Sequence, residues 1–187
     1  MIRSLAVRSL LVVLSQTAPA LAQTPVPAAL QVPAGHQAFL TTRAEGAQQY
    51  VCTAGRGGFT WLFYGPQATL TDDGGAQVAT HFLSANPDEA GAARATWQDS
   101  TDTSRVWAAA MASSTDSAFA PGAIPWLLLR VVGSEPGPNG GNTLGGTLYI
   151  QRVNTAGGVA PTTGCRNAHD VGRKALVAYE TDYVFYK

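Results

Sequence analysis

The sequence predicts an all-β domain folded as an antiparallel β-sandwich or barrel. From Gln37 onward, short runs rich in β-branched and aromatic residues alternate with clusters of Gly, Asp, Asn and Pro. This alternation is typical of many short strands joined by turns. No segment has a long helical periodicity or a repeat of solenoid length. Short strands at such close spacing favour a sandwich or a barrel.

The first 22 residues have the pattern of a secretory signal peptide. Arg3 and Arg8 give a positive start, an apolar run follows at 10–14, and the small-residue triplet 20–22 ends the segment. We therefore expect cleavage after Ala22 and a periplasmic or extracellular location. The apolar run is far shorter than the roughly 20 residues of a spanning helix, and no later segment is long and apolar enough to span a bilayer.

Residues 23–36 are rich in Pro, Ala and Gln. We expect them to form an extended leader outside the core. Residues 37–187 then make a single β domain, because about 165 residues after cleavage suit one domain with a sizeable core.

The candidate strands within this domain follow the apolar runs and end at the turn residues. The clearest, 147–154, alternates strictly, and the run 124–129 is continuously apolar, which predicts burial on both faces. We expect short helical turns at 90–95 and 108–114, and a mobile surface loop at 133–146. In chain order the candidate strands are 37–44, 48–53, 59–64, 67–71, 77–83, 94–98, 104–111, 124–132, 147–154, 174–179 and 182–186.

Charge and cysteine content narrow the class of function. The formal net charge is zero and only 13% of the residues are charged, so no basic surface favours nucleic-acid binding. Cys52 and Cys165 are the two cysteines, and an isolated pair in an oxidising compartment usually forms a disulfide. Closing a loop of about 113 residues is worth roughly 4–5 kcal/mol in the chain-entropy model. Buried or reactive thiols are the alternative.

Segments along nearly the whole predicted domain resemble domain of unknown function 3455, a family of secreted bacterial and fungal proteins. The resemblance implies a secreted single domain, a β-sandwich or barrel, and no established activity. The most specific of the matching segments is 150–158, Ile-Gln-Arg-Val-Asn-Thr-Ala-Gly-Gly, and the others are 49–52, 61–70, 75–82, 97–100, 124–129, 160–165 and 179–186.

His81, Trp97 and Asp99 form the first candidate site. A histidine, an aromatic plate and a carboxylate can line a cleft that stacks a sugar ring or performs acid–base catalysis. The structural alternative is a core tryptophan beside a histidine hydrogen-bonded to a carboxylate. The three histidines match no metal-binding spacing, so we predict neither a metal nor a cofactor.

Arg152 is the second candidate, since it lies on the clearest strand. Either it pairs with a carboxylate such as Glu180 or Asp182, which we favour, or it binds an anionic ligand. Four tryptophans and six tyrosines supply flat surfaces with polar tips that suit glycans, although we expect Trp126 to be core. We therefore predict a non-catalytic exported domain that binds carbohydrate or a cell-surface partner. The alternative is an extracellular enzyme centred on His81 and Asp99.

Overall fold

The computed structural model describes residues 25–187, and the predicted signal peptide lies outside these residues. Eight antiparallel strands form a closed barrel in which each strand pairs with the next along the chain and β8 returns to β1. The all-β prediction is confirmed, with the barrel as the architecture. The strands are β1 Ala38–Gly55, β2 Gly58–Thr71, β3 Gln77–Asn86, β4 Ala92–Asp99, β5 Arg105–Ser114, β6 Trp126–Glu135, β7 Tyr149–Gly157 and β8 Lys174–Tyr186.

Three strands are longer than the sequence predicted, because each joins two of the predicted segments. In β1 the join contains Gly46, where a Cβ atom would lie 2.1 Å from the carbonyl oxygen of Gln67. Glycine therefore lets β1 and β2 approach closely and bend without ending. The helical turns predicted at 90–95 and 108–114 are wrong, since most of these residues pair in β4 and β5. Cross-strand pairing overrides the helix propensity of their alanines.

Side chains alternate between the barrel interior and its outer surface. One end of the interior is filled by a core of fully buried residues, which includes Leu70, Val106, Leu144, Ile150 and Phe185. We call this the closed end. It lies near the turns at 72–76 and 100–104 and the loop after β6.

The apolar run at the start of β6 is covered on both faces, as predicted. Leu129 belongs to the interior core, whereas Trp126 and Leu128 belong to a second cluster with Leu30. The expectation that the segment before Gln37 lies outside the core is therefore wrong for Leu30, which is 0% exposed. A short 3-10 turn at Ala28–Leu30 brings it there, because strand β6 needs apolar cover on its outer face.

The loop after β6 is shorter than predicted and is anchored to the closed end. Strand β6 continues to Glu135, and Leu144 is fully buried. Asp102 Oδ2 accepts a hydrogen bond from the Thr143 N–H at 2.8 Å. A loop rich in glycine is thus fixed by one buried side chain and one carboxylate.

A disulfide joins Cys52 of β1 to Cys165 in the connection between β7 and β8, with 113 residues between them in sequence. The predicted pairing is confirmed. It fastens this connection at the end of the barrel opposite the closed end, which we call the open end. Among residues 25–187, no helix combines the length and the apolar character needed to cross a membrane.

Candidate functional site

A cavity of about 350 Å³ occupies the barrel interior toward the open end. Every strand contributes at least one inward-facing residue to its lining. The mouth is formed by exposed residues, among them Phe63, Leu83 and Ala110, whereas Trp97 and Tyr183 are almost fully buried. The apolar walls are Phe63, Pro66, Leu83, Ala95, Ala108, Ala110, Ile124, Pro125, Leu127 and Leu129, and the polar members are Gln48, Tyr50, His81, Trp97, Arg152 and Tyr183.

Strands β2 and β3 separate beside this cavity. Their backbone pairing runs from Thr71 to Ala68, which is paired with His81. On the N-terminal side of Ala68, β2 is not paired with β3. Pro66 has no N–H to donate to a neighbouring strand. A groove of about 630 Å³ lies on the outside at this divergence, and Pro66, His81 and Leu83 belong to the lining of both the groove and the cavity.

Arg152 lines the cavity, and no carboxylate in the part of the chain that the structure describes forms an ion pair with it. Its Nε and Nη2 donate to the carbonyl oxygen of Pro125 at 3.0 and 2.8 Å. Neither acid proposed from the sequence reaches it: Glu180 pairs with Arg43, and Asp182 accepts a hydrogen bond from Asn154. The favoured pairing is therefore wrong. Arg152 follows Ile150 on the inner face of β7, whereas Glu180 and Asp182 alternate with the buried residues of β8 and face outward.

His81 and Trp97 face each other across β3 and β4. Their rings stack with centroids 4.2 Å apart and planes 13° from parallel, and Tyr183 packs edge-on against both. His81 Nδ1 lies 2.9 Å from the carbonyl oxygen of Thr96. Because a carbonyl oxygen can only accept, Nδ1 carries the proton and Nε2 is left as an acceptor.

The ionisation of His81 is strongly perturbed. Burial lowers the pKa of His81 to about 3, the hydrogen bond to Thr96 opposes this effect, and the charge of Arg152 adds to it. The imidazole is therefore neutral near pH 7. It offers little as a proton donor at that pH.

Asp99 does not join the other candidate residues. Its Oδ1 accepts hydrogen bonds from the backbone N–H groups of Thr101 and Asp102 at 2.8 and 2.9 Å. These bonds shape the turn between β4 and β5 at the closed end. The structure therefore brings His81, Trp97 and Arg152 together in one cavity and places Asp99 outside its lining.

Three of the five buried side-chain groups that have no partner among residues 25–187 belong to residues that line this cavity, and the other two are Trp126 Nε1 and the Tyr179 hydroxyl. Gln48 Nε2, Trp97 Nε1 and the Tyr183 hydroxyl have no partner among residues 25–187, and all three side chains line it. Arg152 and Tyr179 lie near the Tyr183 hydroxyl without completing a hydrogen bond to it. Buried polar groups are nearly always satisfied, so these three groups are exceptions to the usual pairing.

Sequence reasoning missed Gln48, Tyr50 and Tyr183 as site residues. Burial raises the pKa of Tyr50 and of Tyr183, while the positive charge of Arg152 acts in the opposite direction. The Tyr50 hydroxyl donates to the carbonyl oxygen of Gly158 at 2.6 Å. A polar residue on the side of a strand that faces the barrel interior would have indicated these site residues. The sequence alone does not show which side of a strand faces the interior, because this depends on how the strands pair in the barrel.

The lining residues offer few of the side chains commonly used in catalysis. They include no carboxylate, thiol, lysine or serine and threonine hydroxyl. Within the described range 25–187, no three His, Cys, Asp or Glu side chains come together as a candidate metal site. The arrangement offers one cation and several neutral donors around an apolar space.

The tryptophans do not form an exposed platform. Three of the four are about 1% exposed, including Trp126, which is core as predicted. Trp61 is half-buried, and its Nε1 donates to the carbonyl oxygen of Thr163 at 2.9 Å. Binding of a glycan through an exposed tryptophan thus has no support from the geometry, and binding of a glycan or cell-surface partner stays a prediction.

Comparison with known proteins places this barrel in a family. No curated protein and no solved structure matches the chain. Residues 33–187 match the family described as Protein of unknown function (DUF3455). This match covers all eight strands and both halves of the disulfide, and it confirms the resemblance found in the sequence. The chain belongs to the DUF3455 family.

Proposed function

We propose that the protein is a non-catalytic binding domain that holds a small, mainly apolar molecule inside its barrel. The observation that carries the proposal is the cavity near the open end, where an apolar space of about 350 Å³ is lined by Arg152 and by three residues with buried donors that have no partner among residues 25–187. Ligand sites are commonly concave and apolar with a few convergent polar groups.

The volume of the cavity supports this function. A space of 350 Å³ lies at the lower end of the range for small-molecule sites, about 300–1,000 Å³. Small residues such as Ala95 and Ala108 line it where larger ones could pack.

The non-catalytic part of the proposal rests on His81 and Asp99. These were the candidate acid–base pair, but their side chains contact different partners. A neutral histidine with a pKa near 3 is a weak base at pH 7. The arrangement therefore supports holding a molecule more than transforming it.

We also propose that the protein acts after export, in the periplasm or outside the cell. The signal-peptide pattern of residues 1–22 and the disulfide between Cys52 and Cys165 support this location. Expression in a bacterium and N-terminal sequencing of the periplasmic and secreted fractions test it. We expect a chain that starts at Gln23, and a full-length chain retained in the cytoplasm would contradict export.

Filling the cavity tests the binding function. The probes are octanoate, octan-1-ol and octylamine, which share a chain length and differ in charge, and the measurement is the melting temperature of the full chain. Ala108→Leu places a larger side chain in the cavity, and Ala109→Leu is the matched control because Ala109 does not line it. A ligand that binds only the folded state raises the melting temperature by mass action.

We expect at least one probe to raise the melting temperature of the wild type and of Ala109→Leu, and to have little effect on Ala108→Leu. If no probe shifts the wild type, or if Ala108→Leu responds equally, the cavity is not a binding site for such molecules.

A further inference from the structure

Resting on the proposed function, we propose that the ligand of this cavity is a monoanion: a carboxylate group bound by Arg152 and its neighbouring donors, attached to an apolar body. Three features of the cavity support a ligand of this class: the polarity of the donors, the single charge in the lining and the apolar composition of the remaining walls.

The positive charge of Arg152 is not neutralised by the protein. It is half-buried, its bonds go to a neutral carbonyl oxygen, and no carboxylate among residues 25–187 forms an ion pair with it. A guanidinium has five N–H donors and no acceptor, so three remain after the two bonds to Pro125. A charge withdrawn from water is costly unless it is paired. A carboxylate suits the guanidinium because its two oxygens can accept two parallel hydrogen bonds from neighbouring N–H groups.

The neutral groups around Arg152 add donors. Gln48 Nε2 and Trp97 Nε1 can only donate, and the Tyr183 hydroxyl can donate as well; all three are buried without partners. A ligand amine would leave these groups unsatisfied and would repel the guanidinium. A ligand with two acceptor oxygens and a negative charge would satisfy most of them.

These groups lie within reach of one another. Tyr183 packs against the ring of Trp97 with centroids 5.3 Å apart. The charge of Arg152 also influences the pKa values of His81, Tyr50 and Tyr183. Arg152, Tyr183 and Trp97 therefore belong to one polar region of the cavity, and Gln48 is a further member of the same lining.

The rest of the lining accommodates a hydrocarbon rather than further charges. Phe63, Leu127, Leu129 and Ala108 present only carbon to the cavity, and Arg152 is the only permanently charged residue among the lining residues. One anionic group balances this single charge, whereas a dianion would bring a second charge into an apolar site. Burying each methylene of the ligand contributes about 0.8 kcal/mol.

The experiment compares the affinities of octanoate, octan-1-ol and octylamine for the full chain at pH 7 by isothermal titration calorimetry. The variants are Arg152→Met, which removes the charge, Arg152→Lys, which keeps it, and Arg130→Met as a control on the exposed face of neighbouring β6. A hydrogen bond to a charged group is worth roughly 1.5–3 kcal/mol, which corresponds to about 10- to 100-fold in affinity.

We expect wild type and Arg130→Met to bind octanoate at least ten-fold more tightly than octan-1-ol, with octylamine weakest. Arg152→Met should lose about 10- to 100-fold in octanoate affinity and none in octan-1-ol affinity, while Arg152→Lys should recover part of the loss. The ranking of the three probes on the wild type tests the inference even if Arg152→Met does not fold.

Equal affinity for octanoate and octan-1-ol would overturn the anionic ligand and leave the binding cavity intact. An octanoate affinity that survives in Arg152→Met would also overturn it, because the carboxylate would then lie elsewhere. Absence of binding by all three probes would overturn the proposed function together with this inference.

Discussion

At the closed end of the barrel, Leu70, Ile150 and Phe185 fill the interior, and the carboxylates of the nearby turn accept hydrogen bonds from backbone N–H groups. Asp102 accepts from the N–H groups of Ser104 and Thr143. At the open end, an apolar space of about 350 Å³ is lined by Arg152, which has no carboxylate partner within residues 25–187, and by several residues with buried donors that have no acceptor partner within the same range. Both ends lie within the same strands, so the difference comes from the choice of inward-facing side chains.

We propose that this difference separates stability from ligand binding within one barrel. Packed apolar residues and satisfied polar groups stabilise the folded state, whereas unfilled volume and unpaired charge oppose it. Sites that violate packing rules in an otherwise consistent fold are commonly functional. The comparison predicts that substitutions at the two ends change different measured quantities.

The largest loss of stability is expected from truncating a packed side chain at the closed end. Phe185→Ala removes a fully buried aromatic side chain and should lower the free energy of unfolding by about 3–5 kcal/mol. Leu127→Ala in the cavity wall, where the side chain is only partly buried, should cost less than about 2 kcal/mol. Urea denaturation measures both. Equal losses would show that the two ends contribute alike to stability.

The second largest loss of stability is expected from removing the disulfide at the open end. The double variant Cys52→Ala/Cys165→Ala should lose about 2–5 kcal/mol of stability. Hydrogen exchange at Ile150 and Phe185 should accelerate by no more than the loss of global stability allows, whereas the connection from 158 to 173 should accelerate more, because its amides also exchange by local opening. Uniform acceleration across the barrel would contradict a local role for this link at the rim.

Acidification should act through His81. Because burial holds the pKa of folded His81 at about 3, below its ordinary value of 6.5, the unfolded chain binds the proton more tightly. Stability from this group is complete above about pH 6.5 and falls by about 1.4 kcal/mol per pH unit as the pH drops toward 3. Between pH 6.5 and 5 the expected loss is about 2 kcal/mol.

His81→Phe keeps an aromatic ring against Trp97 and removes the titration. Urea midpoints of this variant should change much less between pH 6.5 and 5 than those of the wild type. Comparison above pH 5 avoids the carboxyl groups with lowered pKa, such as Asp102, which titrate in a more acidic range. The same slope in both proteins would mean that another group causes the pH dependence.

The smallest changes in stability are expected from two buried tyrosine hydroxyls. The Tyr50 hydroxyl has a hydrogen-bond partner, and the Tyr183 hydroxyl has none among residues 25–187. Tyr50→Phe removes a hydrogen bond to Gly158 and should cost about 0.5–1.5 kcal/mol. Tyr183→Phe removes a buried hydroxyl without a partner, so the apo protein should be unchanged or slightly more stable. Thermal denaturation of the two variants measures the difference. A larger loss for Tyr183→Phe would show that its hydroxyl has a partner.

The sequence predicted the strand-rich fold, the disulfide and the buried Trp126, because each has a local signal or follows from composition. It did not predict which strands were continuous, since Gly46 resembles a turn residue until its close approach to β2 is known. His81, Trp97 and Arg152 were found as candidates, but Asp99 was grouped with them by proximity along the chain. Only the barrel register shows that Asp99 lies toward the closed end while Gln48 and Tyr183 line the cavity.

The central claim is that the open end is a ligand site and not an imperfect core. A crystal structure of the full chain grown with octanoate tests it most directly. The account predicts octanoate inside the barrel, with its carboxylate within hydrogen-bond distance of Arg152 and its hydrocarbon chain against Leu127 and Phe63. Octanoate bound only on the outer surface, or an interior without it at saturating concentration, would contradict the account.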